Sequence, residues 1–149
     1  IASEGRTDRL IPHALYHVNA SGEIEEQVPF PAELLAVEKR FGSEGVTMIG
    51  DTLWIAIQRE WKDDAAGQVK LVAYNTDTQE WGAVRYPLEP KGEGWVGLSE
   101  IVAHGDYVYV VERDNPHDDR AVPKKSYRVA LGDMVPAALG GGLPVVSKQ

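Results

Sequence analysis

Two glutamates open similar phrases in this sequence, and the groups near them could bind a metal ion or an anion. Glu44 lies in "SEGVT" and Glu100 in "LSEIV", so each follows a serine and begins a short apolar run. A second apolar run comes after each phrase and ends in polar groups, which are Gln58, Arg59, Glu112 and Arg113. Carboxylate and amide oxygens are the donors that a hard cation such as calcium prefers. The arginines could instead pair with the glutamates, or bind a phosphate or carboxylate group in a bidentate manner.

The two phrases belong to a repeat of about 55 residues. Glu44 and Glu100 are 56 positions apart. Gln58 lies 54 positions after Glu4 and 54 before Glu112. A later apolar run recurs at a similar distance and aligns Val18, Tyr74 and Val129. We therefore expect one domain of three units, which span residues 1–36, 43–90 and 98–149.

Each complete unit has the pattern of four short strands. In the second unit these are "VTMI", "TLWIAIQ", "QVKLVAYN" and "EWGAVRYPL", which are rich in β-branched and aromatic residues. Gly50-Asp51 and Gly105-Asp106 mark the first hairpin turn of the second and third units. The first unit supplies only its last three strands, and the third ends in a weak strand near Val135. Only Pro31–Phe41 has helical spacing, enough for a turn or two. The sequence predicts an all-β fold.

Four antiparallel strands that recur at about this spacing are typical of a β-propeller blade. An ordinary β-sandwich is the alternative, since its strands also recur at short intervals. A sandwich has no reason to repeat the polar ends of its strands, so we favour the propeller. Propellers have about four to eight blades, and three cannot close a ring. We therefore expect part of a six-bladed ring, with the other blades supplied by a longer parent chain or by other copies.

Blade geometry predicts that the repeated polar groups converge. The first two strands of a blade form a hairpin, so the start of the first strand lies beside the end of the second. Because the first strand lines the central channel, these groups should meet at one mouth of it. They are Glu4, Arg6, Glu44, Gln58, Arg59, Glu100, Glu112 and Arg113, with Asp114 and His117 in the loop that follows. Ion pairing between the glutamates and arginines, with no metal, is the alternative.

Composition narrows the possible partners. The chain has 149 residues, of which 43% are hydrophobic, so it can bury a core. Its net charge of −8 argues against a nucleic-acid surface, which is normally basic. No apolar run approaches the length of about 20 residues that a membrane helix needs. The absence of cysteine excludes disulfides and thiolate metal sites.

Several of these phrases resemble the phytase-like family, also described as the esterase-like domain of phytase. They are "RFGSEGVT", "LWIAIQRE", "GLSEI", "VVERDN" and "KKSYRVAL". The matching family positions are Glu44, Gln58, Glu100, Glu112, Arg113 and Asp114. Ser43 departs from the pattern, because many relatives have an aromatic residue there. The resemblance implies a secreted or periplasmic propeller that hydrolyses esters or phosphoesters with calcium bound by carboxylates at the channel mouth.

Two functions follow from these observations. The first is a calcium-dependent hydrolase of a small anionic ester. Its predicted metal ligands are Glu4, Glu44, Glu100 and Glu112. The predicted catalytic groups are Glu44, Glu100, Glu112, Arg59 and Arg113, and the predicted substrate-binding groups are Arg6, Gln58, Asp114 and His117. The second function is a non-catalytic propeller that binds a ligand or protein at the same mouth, since a fold does not imply catalysis.

Overall fold

The computed structural model describes residues 1–6, 9, 11–90, 94–115 and 124–149. It is an all-β structure, as predicted. Its strands are β1 (Ala2–Ser3), β2 (Ala14–Val18), β3 (Ile24–Pro29), β4 (Ser43–Ile49), β5 (Thr52–Ile57), β6 (Gln68–Asn75), β7 (Trp81–Pro87), β8 (Val96–His104), β9 (Tyr107–Asp114), β10 (Lys125–Ala130) and β11 (Ala137–Ala138). The short helix α1 (Ala32–Leu35) and a 3-10 turn (Leu131–Asp133) complete the described elements. Neither is long and apolar enough to cross a membrane.

The strands form three open antiparallel sheets. The first sheet has the order β1-β2-β3, the middle sheet β4-β5-β6-β7-β11, and the third β8-β9-β10. Except for β11, which pairs with β7 from far along the chain, the strands neighbour one another in chain order. Gly50 and Gly105 both have a φ of +57°, the left-handed conformation that tight two-residue hairpin turns require. The two hairpins predicted at these positions are confirmed.

The middle sheet is buried on both faces. Ile55 and Ile57 of β5 pack in one core with Leu15 of the first sheet. The alternate residues Trp54 and Ala56 face the opposite core, which also contains strands of the third sheet. In a two-sheet sandwich each sheet keeps one face in solvent. A sheet covered on both sides by other sheets is compatible with consecutive propeller blades.

The pairing of the hairpins corrects the predicted alignment of the units. Gly45 lies opposite Ala56 in the middle sheet, and Glu100 lies opposite Val111 in the third, an offset of 55 residues on both strands. Glu100 therefore occupies the position of Gly45, not that of Glu44. Each first strand has a bulge at this point. The unpaired residue of the bulge is Glu44 in β4 but Ser99 in β8, so the Ser-Glu pair is displaced by one residue between the two strands. On the second strands, Glu112 likewise corresponds to Ile57 and not to Gln58.

The C-terminal segment also differs from the prediction. Val135 is exposed and lies outside any strand. The residues after it form β11, which pairs with β7 of the middle sheet. The chain then returns to the third sheet, where Lys148 bridges Val129 of β10. Pro144 lies between these two pairings, and since proline has no N–H to donate, it does not favour one continuous strand.

Candidate functional site

Glu44 and Gln58 form the centre of the candidate site. Glu44 projects from the bulge in β4, and the Gln58 side-chain amide donates a hydrogen bond to its Oε1. Gln58 is only 4% exposed. Its backbone is fixed by bonds to Gly42 O at 2.8 Å and from Leu98 N at 3.0 Å. The predicted contact between the start of one strand and the end of the next is confirmed, and backbone hydrogen bonds position the Gln58 end of it.

Glu4 adds a second carboxylate from the first sheet. Its Oε1 accepts a hydrogen bond from Phe41 N at 3.1 Å, which ties the end of β1 to the chain just before β4. Partial burial of its carboxyl group raises the pKa of Glu44, and the negative charge of Glu4 raises it further. The charge of Arg113 and the hydrogen bond from Gln58 act in the opposite direction. Groups from all three sheets therefore act on Glu44.

Glu100 lies at the contact between β8 and β4. Its Oε1 accepts a hydrogen bond from Ile101 N at 2.9 Å, and the carboxylate occupies the space that a side chain at Gly45 would fill. Glu100 is exposed. The structure therefore brings Glu100 next to the strand that carries Glu44, with one carboxylate oxygen bound to backbone.

The arginines near the site stack on aromatic rings. Arg59 lies over Phe41 at 4.8 Å and over Trp95 at 4.9 Å. Arg113 lies over the same Trp95 ring at 5.3 Å, and Arg40 lies over Phe41 at 5.2 Å. We call this series the arginine–aromatic ladder; it consists of Arg40, Phe41, Arg59, Trp95 and Arg113. Stacking fixes the planes of the guanidinium groups and leaves their edges able to donate to an anion.

Sequence reasoning missed Arg40 and Phe41 as members of this group. A signal was present, because both residues lie in the phrase "RFGSEGVT", which also contains Glu44. Phe41 has a φ of +72°, which is unusual for a bulky residue. Backbone strain of this kind is often found at functional sites, but it cannot be read from the sequence.

Glu112 is not brought to the region around Glu44. It is 1% exposed and lies between the middle and third sheets. Its carboxylate accepts hydrogen bonds from Tyr86 OH at 2.8 Å, Glu89 N at 2.8 Å and Lys148 Nζ at 2.6 Å. Glu112 occupies the position that Ile57 has in the middle sheet, so side-chain alternation turns it toward the core. These bonds leave it poorly suited to the predicted roles of metal ligand and catalytic group.

The remaining residues predicted to bind substrate are Arg6, Asp114 and His117. Arg6 pairs through its backbone with Ile11, where its N–H donates to Ile11 O at 2.7 Å. Asp114 ends β9 opposite Val96 and is buried. His117 lies outside the described residues. The structure thus brings Glu4, Glu44, Gln58, Glu100 and Arg113 to one region, and Arg59 joins them through the ladder.

The donor groups fit a hard cation only in part. Within the described residues, no three acidic or histidine side chains are grouped closely enough to hold a metal ion. Gln58 Oε1 is nevertheless buried with no hydrogen-bond partner in that part of the chain, so it is a free oxygen donor. It lies in the side chain that already contacts Glu44, and Glu4 supplies a second carboxylate nearby. These oxygens suit calcium chemically, whereas Glu112 does not contribute.

Comparison with known protein families identifies the family of this chain. The family model described as "Phytase-like: Esterase-like activity of phytase" matches residues 1–149. No curated protein matches the chain significantly, and neither does any protein of solved structure. The match covers every element that carries the candidate site.

Proposed function

Since this chain belongs to the phytase-like family, we propose that it hydrolyses a small anionic ester, such as a phosphoric ester, at the site around Glu44. One observation carries the proposal: groups from three successive sheets act on the same carboxylate. Gln58 donates to Glu44, while Glu4 and Arg113 lie close enough to shift its pKa in opposite directions. We further propose that the sheets are blades of a propeller and that the site is its channel mouth. The family resemblance supports a secreted or periplasmic location.

Glu44 is the group best suited to proton transfer. A carboxyl group whose pKa is raised can accept a proton from an attacking water and later return it to the leaving group. Gln58 fixes the orientation of this carboxyl group through a hydrogen bond. Arg113 and Arg59, held by Trp95, are placed to neutralise the negative charge of an ester as it develops.

We also propose that Glu4, Glu44 and Gln58 Oε1 hold a calcium ion, with Glu100 beside them. When bound, calcium supplies positive charge to the ester oxygen and lowers the pKa of a coordinated water. Burial and then the charge of Glu4 raise the pKa of Glu44. A cation bound beside both carboxylates would offset their repulsion and keep Glu44 ionised, as a general base must be. The free oxygen of Gln58 supports the proposal as well.

The hydrolysis of p-nitrophenyl phosphate tests the proposed function. The full chain is assayed in millimolar calcium and then in excess chelator. We expect turnover in calcium, loss of turnover in chelator, and recovery when calcium is restored. Full activity in excess chelator would remove calcium from the mechanism. No turnover under any condition, on phosphoric or carboxylic ester substrates, would contradict a hydrolase.

A second candidate function is a non-catalytic module that binds an anionic ligand. The arginine–aromatic ladder favours it, because stacked guanidinium groups bind anions without any metal. Calorimetry with calcium distinguishes the two functions. Heat of binding and a thermal shift at millimolar calcium would support the hydrolase, whereas neither signal would favour the binding module.

A further inference from the structure

A mostly apolar pocket lies between the first sheet and the middle sheet, near the Gly50-Asp51 turn. Its volume is about 420 Å³, which suits a small organic molecule. Apolar side chains from both sheets line it, namely Leu15, Val28, Val46, Met48 and Leu53. None of these residues belongs to the site around Glu44, so the pocket is a separate feature of the molecule.

The pocket has a buried floor and an exposed rim. Leu15 and Tyr74 are buried and belong to the core between the two sheets. Met48 of β4 is 51% exposed. The strand of the first sheet that contacts β4 is β1, which is only two residues long and leaves this part of β4 uncovered. An apolar group that enters the pocket is therefore removed from water.

Tyr74 places an unpaired hydroxyl group at this pocket. The residue is 6% exposed, and its ring centroid lies 4.7 Å from that of Trp81, a contact that restricts its position. Its hydroxyl group forms no hydrogen bond within the part of the chain that the structure describes. The hydroxyl group of a buried tyrosine normally has a partner, so this one favours a ligand that supplies the missing hydrogen bond.

Glu26 supplies negative charge close to this hydroxyl group. It is an exposed residue of β3 that also lines the pocket. Partial burial raises the pKa of Tyr74, and the charge of Glu26 raises it further. The carboxylate therefore lies near enough to act on the hydroxyl group. No hydrogen bond or ion pair engages Glu26 among the described residues.

The basic groups at the pocket are engaged elsewhere. Ile1 N donates a hydrogen bond to Tyr16 O at 2.9 Å. His17 Nδ1 lies 3.7 Å from a carboxylate oxygen of Glu25, the residue before Glu26. The charge of Glu26 thus has no counterpart in the pocket, and the rim complements a cation.

We propose that this pocket binds a small amphipathic cation, which has an apolar body such as an aromatic ring and a protonated amine. The apolar body lies between Val28 and Leu53, and the amine donates to the Tyr74 hydroxyl oxygen and the Glu26 carboxylate. A purely apolar molecule would leave the hydroxyl group unpaired, and Glu26 would repel an anion. This ligand is opposite in charge to the proposed ester and binds elsewhere, so the inference goes beyond the proposed function and stands if that function fails.

Three probes that share a phenyl ring test the proposal on the full chain. They are 2-phenylethylamine, the neutral 2-phenylethanol and the anionic 3-phenylpropionate, each titrated at pH 7 and low salt by ligand-observed NMR. We expect saturable binding of the amine. The alcohol should bind about tenfold more weakly, since it lacks a charge-assisted hydrogen bond to Glu26, and 3-phenylpropionate should bind most weakly. The proposal is overturned if the amine does not bind saturably or if 3-phenylpropionate binds as tightly.

Matched variants show whether this pocket is the site. Glu26→Gln keeps the size of the side chain and should weaken amine binding about tenfold, with no effect on 2-phenylethanol. Tyr74→Phe keeps the ring and should weaken both probes about fivefold, because it removes only the hydroxyl group. Glu33→Gln, at an exposed glutamate of α1, should leave binding unchanged.

Melting curves check that each variant folds. Equal weakening of amine binding by Glu26→Gln and Glu33→Gln would overturn the proposal, and so would wild-type binding of both probes to Tyr74→Phe.

Discussion

Glu44 and Glu112 occupy similar positions in the sequence but have different burial and different hydrogen-bond partners. Glu44 is exposed at a bulge, with a second carboxylate nearby and one amide donor. Glu112 is buried, and three donors satisfy its carboxylate. The first arrangement leaves a carboxyl group able to exchange protons or bind a cation. The second joins two sheets, and we assign it a structural role.

Replacing Glu112 should therefore affect stability. Glu112→Ala removes the nearer of the two carboxylate partners of Lys148, leaving only Glu89, and it removes the acceptor of Tyr86 OH. We expect a loss of about 3 kcal/mol in the free energy of unfolding, measured by urea denaturation. Glu33→Ala, at an exposed glutamate of α1, is the control and should change little.

A double-mutant cycle checks the cause of that loss. If Glu112 stabilises the protein through Lys148, then Glu112→Ala combined with Lys148→Ala should destabilise less than the sum of the two single variants. Strict additivity would show that the pair does not couple the middle and third sheets.

Glu44→Gln should have a pH-dependent effect on stability. The pKa of Glu44 is raised by burial and by Glu4, so the folded protein keeps this proton to a higher pH than the unfolded chain does. Stability contributed by the protonated group is thus lost as pH rises from the unfolded pKa through the folded one. Glutamine removes this loss. Because Glu44 is exposed and partly screened by solvent, we expect a melting temperature only about 2 °C higher at pH 7.

The same variant should show no advantage at about pH 3.5, which lies below the unfolded pKa, because Glu44 is then protonated in the folded and the unfolded chain alike. Thermal melts at the two pH values, with Glu33→Gln as the control, measure the difference. An equal shift at both pH values would mean that the ionisation of Glu44 is not its cause.

At the level of strands, much of the structure could be predicted from the sequence. The Gly-Asp turns and the β-branched runs fixed the hairpins of the middle and third sheets, and hence the contact between Glu44 and Gln58. The position of Glu112 could not be predicted, because a shift of one residue moves a side chain to the opposite face of a sheet. The repeated Ser-Glu pairs suggested an alignment of β4 with β8 that differs by one residue from the alignment of their hydrogen-bonded registers.

Long-range pairing was also beyond sequence reasoning. The C-terminal residues carry weak strand signals, and their partners, β7 and β10, lie far away in the chain. The contact of Arg59 with two aromatic rings from different segments has no local pattern either. Such contacts depend on how the sheets pack, which spacing along one chain does not encode.

Gly45 tests the close packing of β4 against β8. A Cβ built at Gly45 would lie 2.9 Å from Ile101 N, a backbone atom that cannot move without displacing β8. We expect Gly45→Ala to cost about 1–3 kcal/mol and to displace Glu100. Gly142→Ala is the matched control, because no atom lies within 4 Å of the added Cβ. Equal melting temperatures for the two variants would contradict this packing.

At the level of the whole molecule, the third sheet has a face that the described residues leave partly exposed. Trp54 and Thr47 of the middle sheet face the third sheet. The corresponding residues of the third sheet, Tyr109 and Val102, are 39% and 49% exposed. The same face is therefore covered in the middle sheet and exposed in the third. This difference favours a further sheet that packs on the third one, from a longer parent chain or from another copy.

The isolated 149-residue chain should therefore self-associate as its concentration rises. Sedimentation velocity over a range of concentrations measures this. The double variant Val102→Lys, Tyr109→Lys should shift the chain toward the monomer, whereas Thr78→Lys, at an exposed turn, should not. A chain that stays monomeric at every concentration would contradict an association surface on the third sheet.

The central claim is that the carboxylate where three sheets meet carries out ester hydrolysis. The most direct test is the initial rate of p-nitrophenyl phosphate hydrolysis in calcium for the wild type, Glu44→Gln and the control Glu33→Gln. We predict that Glu44→Gln lowers kcat at least about 100-fold, the usual contribution of a general acid or base, while Glu33→Gln keeps the wild-type rate. Equal rates for all three proteins would contradict the assignment of Glu44.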